Sequence, residues 1–269
     1  MTSPLQKSAL VVLSGGQDST TCLFWAKRDF ETVHAITFHY GQRHNIEINA
    51  AIKVGLMAEV ASHEIVYLGS KILRGSSPLT NHSKPLEVYP DYSTMDKTIG
   101  DRIELTFVPM RNALFLTIAA NRAAILGCNA IITGVCQQDN ANYPDCRAEF
   151  IVAQEQAIMA ALGHKSNNHL RILTPLMFMT KAESIRWAKG FDGCMAAMAY
   201  THTAYDGCYP PTGKDHASTL RAQGFLEAGV ADPLVVRAWR EGLMKLPNTS
   251  NYAGIDENEY TEDELKGIE

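Results

Sequence analysis

The chain lacks the features that direct a protein to membranes, to secretion or to nucleic acids. Its 24 lysines and arginines are outnumbered by 29 aspartates and glutamates, giving a formal charge of −5, so it has no basic surplus for nonspecific binding of polynucleotides. No apolar run is long enough to span a bilayer, and the N-terminus lacks the pattern of a signal peptide. The six cysteines are scattered without a disulfide framework. A soluble, cytoplasmic protein is predicted, acting on small molecules and binding neither membranes nor nucleic acid.

A Walker-type lysine is also missing from the glycine-rich stretch at 10–19, which has the sequence LVVLSGGQDS. Four apolar residues typical of a buried strand lead into Ser14, Gly15 and Gly16, and a polar helix start follows. Two adjacent glycines let the backbone turn tightly and direct several N–H groups at one anion. Because no Gly-Lys-Ser or Gly-Lys-Thr follows, the Walker pattern is excluded. The stretch predicts a phosphate-binding loop of another type, with an ordinary glycine turn as the alternative.

The pattern Ser-Gly-Gly-X-Asp-Ser at 14–19 resembles the pyrophosphate-binding loop of the ATP pyrophosphatases (the PP-loop superfamily), which split ATP at the α-phosphate. This resemblance implies that ATP contacts the loop, the first turns of the next helix and a glycine after a later strand. The residues expected to contact ATP are Leu13, Ser14, Gly15, Gly16, Gln17, Asp18, Ser19, Thr20, Thr21, Cys22, Leu23 and Gly134.

Strand-like runs alternate with helical patterns through the first two-thirds of the chain. Strands are predicted at 9–13, 33–38, 64–68, 130–134 and 171–176, and helices from the loop to about 28 and at 45–60, 111–126, 148–162 and 181–189. This alternation predicts an α/β fold with a parallel sheet and helices on both faces, whose ligands bind beyond the carboxyl ends of the strands. The long connection at 69–106 is predicted to be irregular, either a functional cover or a disordered insert.

The chain is expected to form one substantial core with a small appendage, because it has 269 residues of which 46% are hydrophobic. An ATP-binding α/β domain is predicted at 1–190 and a small C-terminal helical region at 191–250. The acidic stretch at 251–269 is predicted to be a solvated tail.

A polar run follows the second predicted strand. It contains Tyr40, Gln42, Arg43 and His44. A strand's carboxyl end places such side chains near the same crevice as the phosphate loop, so they are candidates for contacting a nucleotide or a carboxylate. The alternative is a polar turn with a packed tyrosine.

A second candidate pair, Arg111 and Asn112, opens the helix after the long connection, just beyond Pro109. A cation in the first turn opposes the helix dipole. Arg111 is therefore expected to meet an anion, either a substrate carboxylate or an ATP phosphate. The alternative is a surface arginine in a loose loop.

Groups suited to a purine follow the fourth strand. Tyr143 offers an aromatic face for stacking, and Asp139 or Asp145 can accept the N–H groups of a guanine-like ring. Arg147 adds a guanidinium. Alternatively, Asp145 and Arg147 pair with each other at the surface.

Lys181 opens the helix after the fifth strand. A lysine there can reach the β- and γ-phosphates as a mobile point charge. Glu183 is expected to hold that lysine or to assist with magnesium, and the alternative is an ion pair on the helix surface.

The order of these motifs resembles the 7-cyano-7-deazaguanine synthase (QueC) family. The resemblance covers about 9–226 and rests on the phosphate loop followed by Tyr-Gly-Gln-Arg-His, Phe-Val-Pro-Met-Arg-Asn, Ile-Thr-Gly-Val, Tyr-Pro-Asp-Cys-Arg, Thr-Pro-Leu and Lys-Ala-Glu. It implies a Rossmann-like fold of the adenine nucleotide α-hydrolase (HUP) type and a homodimer. It also implies an ATP-dependent ligase that converts 7-carboxy-7-deazaguanine and ammonia to the nitrile, through an adenylated carboxylate and an amide.

That resemblance assigns roles to particular residues. Asp18, Lys181 and Arg111 are expected to be catalytic, with ATP as co-substrate and Mg²⁺ partnered by Asp18. The residues expected to contact the deazaguanine are Tyr40, Gln42, Arg43, His44, Arg111, Asn112, Tyr143, Asp145 and Arg147.

The chain departs from the family where the family usually has a zinc site of four cysteines. The matching segment at 203–221 keeps the frame residues Tyr205, Gly207, Gly213, Leu220 and Arg221. Its ligand positions hold Ala204, Thr212, Asp215 and Ser218. Because zinc sites use thiolate or imidazole, zinc is expected to be absent. Cys208, Asp215 and His216 remain as an alternative set with unsuitable spacing.

Three other functions fit the same sequence. A relative of the family can stop at the amide or deliver the activated deazaguanine to another amine. A different ATP pyrophosphatase, such as a thiouridylase or an amidotransferase synthetase domain, is a second possibility. The third is a nucleotide-binding module without catalysis, against which the joint presence of Ser14, Asp18, Ser19, Arg111 and Lys181 argues.

Overall fold

The computed structural model describes residues 6–138, 142–163 and 170–255. Within them, five strands form one sheet. The strands are β1 (Gln6–Val12), β2 (Phe30–His39), β3 (Ser62–Tyr67), β4 (Ala130–Ile132) and β5 (Arg171–Leu173). All neighbours pair in parallel, in the order β3-β2-β1-β4-β5. The central strand β1 aligns Leu10 with His34 on one side and with Ile131 on the other.

Helices connect and follow these strands. They are α1 (Gln17–Asp29), α2 (Ile46–Met57), α3 (Tyr92–Ile99), α4 (Arg111–Leu126), α5 (Ala148–Leu162), α6 (Lys181–Ala188), α7 (Cys194–Met198), α8 (His216–Ala228) and α9 (Pro233–Arg240). The predicted bounds of α4 and α5 agree with the structure at both ends. No helix in the described ranges is both long enough and apolar enough to cross a membrane.

The sheet has a hydrophobic core on each face. Successive residues of a strand point to opposite faces, and β1 shows this directly. Val11 packs in one core with residues of α1, α2, α6 and α7, whereas Leu10 packs in the other with residues of α4 and α5. Helices therefore cover both faces, and the predicted α/β Rossmann-like fold is confirmed.

The direction of the strand order reverses beside β1, because β2 and β3 lie to one side of it and β4 and β5 to the other. In an open parallel sheet this reversal leaves a crevice beyond the carboxyl ends of the two strands that flank it. The phosphate loop follows β1, and Gly134 lies two residues after β4. The topology therefore places both on the same crevice.

The connection at 69–106, predicted to be irregular, contains α3. The Asp91 side chain caps this helix by accepting from the Thr94 N–H at 2.7 Å. Met95 and Ile99 are buried in a separate small cluster with Tyr89, beside Leu220 of α8. An N-cap aspartate followed by apolar residues at helical spacing is the signal for this element. The prediction of an irregular segment was therefore wrong over these eight residues.

The C-terminal helices pack directly on the α/β unit. Helix α7 contacts α1 and α2, and α8 contacts α6. The predicted domain boundary near 190 falls between α6 and α7, and it stays a prediction. Of the predicted acidic tail at 251–269, residues 256–269 lie outside the described ranges.

Candidate active site

A cavity of about 300 Å³ lies at the crevice. Its wall combines the loop after β1, the carboxyl ends of β2 and β4, the first turns of α2 and α4, Lys181 of α6, and residues 202–205 and 216–221 of the C-terminal region. Residues far apart in sequence thus meet around one space. Most of the predicted site residues contribute to this wall.

The loop after β1 is held in shape by its own two serines. Ser19 Oγ lies 3.0 Å from Ser14 Oγ and donates to the Gly16 carbonyl at 3.1 Å. The Ser14 N–H donates to the Ser19 hydroxyl, and the Gly16 N–H donates to the Ser14 hydroxyl. The N-terminus of α1 therefore opens into the cavity at a fixed position, and its unpaired N–H groups suit an anion.

Close packing explains why the loop needs glycine at position 15. Gly15 has φ +85°, and a Cβ there would lie 2.3 Å from the Glu47 carbonyl oxygen. The Gly15 carbonyl accepts from the His202 N–H at 2.9 Å. A Cβ at Gly134 would lie 2.9 Å from the Asp18 carbonyl carbon. The loop is thus closely packed against helix α2, the C-terminal region and the residues that follow β4.

Asp18 and Lys181 form an ion pair at one end of the cavity, with Lys181 Nζ 2.8 Å from Asp18 Oδ2. Glu183, the other residue considered as a partner for this lysine, instead caps α6: its carboxylate accepts from the Thr180 N–H at 2.8 Å. The lysine therefore points its charge at the phosphate loop. Glu183 shapes the start of the helix that carries it.

The other residues expected to contact ATP divide into two groups. Leu13, Ser14, Gly16, Gln17, Asp18, Ser19 and Gly134 line the cavity. Thr20, Thr21, Cys22 and Leu23 are buried within α1 and lie off the cavity wall, with Cys22 and Leu23 in the hydrophobic core. Gly15 also lies off the wall and fixes the backbone of the loop.

Arg111 begins α4 and lines the same cavity. In the described part of the chain, no carboxylate lies within 4.0 Å of its guanidinium. Its charge interacts with the hydroxyl groups of Tyr40, Tyr143 and Tyr205 and, without forming an ion pair, with the carboxyl groups of Asp145 and Glu47. A guanidinium that forms no ion pair is suited to binding a ligand carboxylate.

Asn112, the next residue, is tied to Asp145. The Asn112 N–H donates to Asp145 Oδ2 at 3.1 Å, and its side-chain amide donates to the Asp145 carbonyl at 3.1 Å. Asp145 is buried just behind the wall and does not pair with Arg147, which lines a separate cavity of about 460 Å³. Asp139, the alternative acceptor, lies outside the described residues.

Tyr143 lies in the cavity wall, and its hydroxyl forms hydrogen bonds with buried polar groups. It hydrogen-bonds to Thr106 Oγ1 and donates to Glu104 Oε2 at 3.2 Å. Burial, with the nearby Tyr205 and Glu104, raises the pKa of Tyr143. Glu104 is only 1% exposed and was missed from the sequence, because a lone glutamate in a loop carries no motif. These bonds fix the orientation of the tyrosine ring.

The polar run after β2 has mixed roles. Tyr40, Gln42, Arg43 and His44 all line the cavity. Gln42 Oε1 accepts from the Tyr40 N–H at 2.9 Å, and Arg43 donates to backbone carbonyls of the long connection at 78, 82 and 84. These hydrogen bonds hold the connection at 69–106 next to the cavity.

Glu47, in the first turn of α2, is a second residue that the sequence reasoning missed. It lines the cavity, and burial raises its pKa to about 7, with Arg111 lowering it and Asp215 raising it. Tyr40 and Tyr205 are also within electrostatic range. A carboxyl group with this pKa can accept or release a proton near neutral pH. Its position three residues after the polar run would have been the only clue.

Two buried polar atoms at the cavity have no hydrogen-bond partner. In the described ranges three such atoms occur, and two of them, Gln17 Oε1 and His216 Nε2, belong to residues of this wall. Burial, with Lys181 nearby, lowers the pKa of His216 to about 4. A buried polar atom without a partner is costly. Unsatisfied atoms around a preformed cavity therefore fit a polar ligand such as ATP.

The residues at the family's zinc positions do not fit zinc. Ala204 has no donor atom, Thr212 Oγ1 donates to an Asp206 carboxylate oxygen, and Ser218 Oγ donates to Asp215 Oδ2 at 2.7 Å. Cys208 is exposed while Asp215 and His216 are buried. No group of three or more His, Cys, Asp or Glu residues in the described ranges is arranged to hold a metal ion.

Hydrogen bonds and an ion pair hold that segment instead. Buried Arg221 contacts both carboxylate oxygens of Asp232, at 2.6 and 2.8 Å, and donates to Thr201 and Thr203. Asp232 also caps α9 through the Leu234 N–H at 3.0 Å. One guanidinium therefore joins the chain before the segment, helix α8 and the start of α9.

A second cluster fixes the loop between these elements. Arg237 of α9 donates to the Tyr209 hydroxyl at 2.7 Å and to the Ala199 carbonyl at 2.8 Å. Its guanidinium also lies over the Tyr209 ring, 4.3 Å from the centroid. Tyr209 donates in turn to Glu241 at 2.6 Å. The loop that would carry zinc ligands is thus anchored to the last helix.

Sequence comparison with known proteins identifies a family for this chain. Residues 8–229 match the family described as "Queuosine biosynthesis protein QueC". The 7-cyano-7-deazaguanine synthase of Laribacter hongkongensis is 45% identical, covering 85% of this chain and 94% of that protein. The corresponding synthase of Gloeobacter violaceus is 46% identical, with 85% and 95% covered.

More distant similarity extends to a solved structure. A 4-thiouridine synthetase in complex with RNA and ATP is 16% identical, with a TM-score of 0.40, covering 88% of this chain and 53% of that one. This chain therefore spans about half the length of that synthetase. On the extent of the family match and the identity to the two synthases, the chain belongs to the QueC family.

Proposed function

We propose that the protein is an ATP-dependent ligase that converts 7-carboxy-7-deazaguanine and ammonia to 7-cyano-7-deazaguanine. The observation that carries the proposal is that one cavity combines two different groups suited to anions. One is the phosphate loop with Lys181 and Asp18, and the other is Arg111, which has no carboxylate within 4.0 Å among the described residues. The names of the similar synthases agree with this chemistry.

The phosphate loop would bind ATP. Backbone N–H groups at the start of α1 and the Ser14 hydroxyl suit phosphate oxygens, and Lys181 offsets the charge that develops on the leaving pyrophosphate. Asp18 would partner Mg²⁺, directly or through water. When bound there, Mg²⁺ supplies additional positive charge to the phosphates. The unpaired Gln17 Oε1 adds a polar contact on the same wall.

The surroundings of Arg111 would bind the deazaguanine. Arg111 would hold the carboxylate, and the Tyr143 ring, fixed by Glu104 and Thr106, would stack on the heterocycle. Tyr40, Gln42, Arg43, His44 and Asn112 would complete the surroundings, with Asp145 and Arg147 behind them. This arrangement points the carboxylate of the substrate toward the phosphate loop.

Activation and amide formation follow from that placement. A carboxylate oxygen attacks the α-phosphorus of ATP, pyrophosphate leaves, and the carboxyl carbon becomes an electrophile with AMP as its leaving group. Ammonia then attacks that carbon, and AMP leaves with the oxygen. Glu47, whose pKa of about 7 suits proton transfer at neutral pH, would accept the proton released by the nitrogen.

The nitrile requires the same activation once more. The amide oxygen attacks the α-phosphorus of a second ATP, and pyrophosphate leaves. The nitrogen then releases its two protons to a base or to water as AMP leaves with the oxygen, which leaves the carbon–nitrogen triple bond. The protein's contribution to both rounds is positioning and electrostatic stabilisation. A product that stops at the amide lacks this second round, whereas transfer of the activated carbon to another amine replaces ammonia in the first round.

One incubation tests the function and its alternatives. The purified protein is given ATP, Mg²⁺, ammonia and 7-carboxy-7-deazaguanine, and the products are identified by mass spectrometry. We expect the nitrile together with AMP and pyrophosphate. Amide alone indicates the shortened reaction, AMP without a deazaguanine product indicates another ATP pyrophosphatase, and absence of turnover with retained ATP binding indicates a nonenzymatic module.

We also propose that the protein folds without zinc and acts as a cytoplasmic homodimer. The hydrogen bonds of Arg221 and Arg237 support the first point, and the six free cysteines agree with a reducing compartment. The dimer rests on family resemblance alone. Light scattering of the purified protein measures its mass in solution and decides between one copy and two.

A further inference from the structure

His216 is an unusual residue in the cavity wall. It is the first residue of α8, it is 4% exposed, and its Nε2 has no hydrogen-bond partner among the described residues. It lies between Asp215 and Ser218, two of the positions where the family usually has zinc cysteines. The role of this imidazole is not explained by the family resemblance.

The start of α8, which carries the imidazole, is held firmly in place. Asp215 caps α8 by accepting from the Ser218 N–H at 3.0 Å and from the Ser218 hydroxyl at 2.7 Å. Helix α8 also packs tightly on α6, since a Cβ at Gly224 would lie 2.4 Å from Lys181 Cγ. The backbone of His216 is therefore fixed relative to α6, whose first residue is Lys181.

The surroundings of His216 indicate the charge of its missing partner. Lys181 is close enough to lower the pKa of His216. Lys181 is itself 2.8 Å from Asp18, beside the loop whose N–H groups face the cavity. A ligand group bound among a lysine and the start of a helix is an anion, and the oxygens of an anion such as phosphate accept hydrogen bonds.

We propose that His216 binds the pyrophosphate portion of ATP by donating a hydrogen bond from Nε2 to a phosphate oxygen. This inference rests on the ATP-binding part of the proposed function and on no assumption about the deazaguanine. The segment that lost the zinc cysteines would thus supply a direct contact to the nucleotide. His216 is a binding residue that no family motif contains.

A binding role and a purely structural role for His216 predict different effects on stability. Replacing a buried polar atom that has no partner by an apolar group of similar size removes a desolvation cost. His216→Leu should therefore keep or raise the melting temperature of the ligand-free protein while weakening ATP binding. A histidine needed only for packing would lower the melting temperature and leave the affinity of the remaining folded protein unchanged.

Calorimetric titration of the full-length protein with ATP, pyrophosphate and AMP tests the contact. We expect His216→Leu to weaken ATP and pyrophosphate binding by about 10- to 100-fold, the loss typical of a hydrogen bond to a charged group. AMP affinity should not change. His216→Gln, which retains an N–H near the position of Nε2, should recover most of the loss. Asn129→Ala is the matched control, because Asn129 Oδ1 is unpartnered but lies off the cavity wall.

The outcomes are separable. Unchanged ATP and pyrophosphate affinity in His216→Leu overturns the contact, as does an equal loss for AMP. A loss of ATP binding in Asn129→Ala of similar size also overturns it, since the effect would then be general. If the wild-type protein binds pyrophosphate and ATP but produces no deazaguanine product, the proposed reaction fails while the His216 contact stands.

Discussion

The cavity wall and the interior of the C-terminal region treat polar groups in opposite ways. At the cavity, Gln17 Oε1 and His216 Nε2 have no partner, and Arg111 has no carboxylate within 4.0 Å in the described part of the chain. In the C-terminal interior, Arg221, whose buried side chain borders the cavity at one point, makes hydrogen bonds to Asp232, Thr201 and Thr203. Unpaired polar groups mark a surface prepared for a ligand, and fully paired ones mark a scaffold.

Under the zinc-free fold that we propose, the Arg221 network takes the place of a metal site. A structural zinc joins several segments through one central atom. Here Arg221 joins similar segments through a planar group with five N–H donors. The replacement works only if every donor is satisfied, because a buried charge that loses a partner is strongly destabilising. Scaffold and site should therefore respond differently to substitution.

The largest effect is expected in the scaffold, for Asp232→Ala. This change leaves the Arg221 guanidinium buried and uncaps α9, so the free energy of unfolding should fall by about 3–5 kcal/mol. Urea denaturation followed by circular dichroism measures the loss. Glu64→Ala, which breaks the exposed ion pair with Arg122, is the control and should cost at most about 1 kcal/mol. Equal losses for both variants would show that the Arg221 network is not a scaffold.

At the site, Asp18→Asn should reduce activity more than it reduces stability. We expect AMP formation to fall by about 10²–10³-fold, the loss typical of removing one group that stabilises transition-state charge. The melting temperature should fall less than in Asp232→Ala, because Asp18 is partly exposed and the asparagine can still accept a hydrogen bond from the nearly buried Lys181. Asp29→Asn, at the other end of α1, should keep full activity. AMP formation at the wild-type rate in Asp18→Asn would remove Asp18 from the mechanism.

A smaller effect is expected from Glu47 and appears in the pH profile. The carboxylate form accepts the proton, so at constant free ammonia the rate of amide formation should rise with pH and level off above about 7. Arg111, Asp215, Tyr40 and Tyr205 are the charged and titratable groups that influence Glu47. Glu47→Gln should lower the plateau and abolish this rise. An unchanged profile in the variant assigns the pH dependence to another group.

Treatment that removes zinc is expected to change neither the stability nor the activity of the protein. Incubation with a strong chelator followed by dialysis should leave the melting temperature and the rate of AMP formation, measured after Mg²⁺ is restored, unchanged. Elemental analysis of the untreated protein should find no stoichiometric zinc. A stoichiometric metal content, or unfolding by the chelator, would mean that the C-terminal region uses ligands other than the residues at 204, 212, 215 and 218.

Local signals in the sequence were sufficient for much of the fold. Strand–helix alternation located all five strands, and helical periodicity gave the bounds of α4 and α5. Strands β4 and β5 end earlier than predicted, at Ile132 and Leu173. The chain bends there to bring Gly134 against α1 and to enter the turn at Pro175. Apolar content alone does not show where a strand stops pairing.

The partners of site residues were harder to predict. Lys181 pairs with Asp18 of the adjacent helix α1, whereas the sequence suggested its neighbour Glu183. Asp145 bonds to Asn112 in preference to the nearby Arg147. Glu47 and Glu104 belong to no motif, and the environment of each comes from distant segments. Pairing across the fold depends on topology, which no local pattern encodes.

The bond from the His202 N–H to the Gly15 carbonyl has a consequence for synthesis on the ribosome. The phosphate loop leaves the ribosome well before His202, a backbone partner that fixes its shape and lies far along the chain from Gly15. Contacts between residues so distant in the chain form late in folding. A nascent or truncated chain ending before 202 would carry the complete loop sequence without its final form, so nucleotide binding should be gained only after residue 202 has been added and has folded.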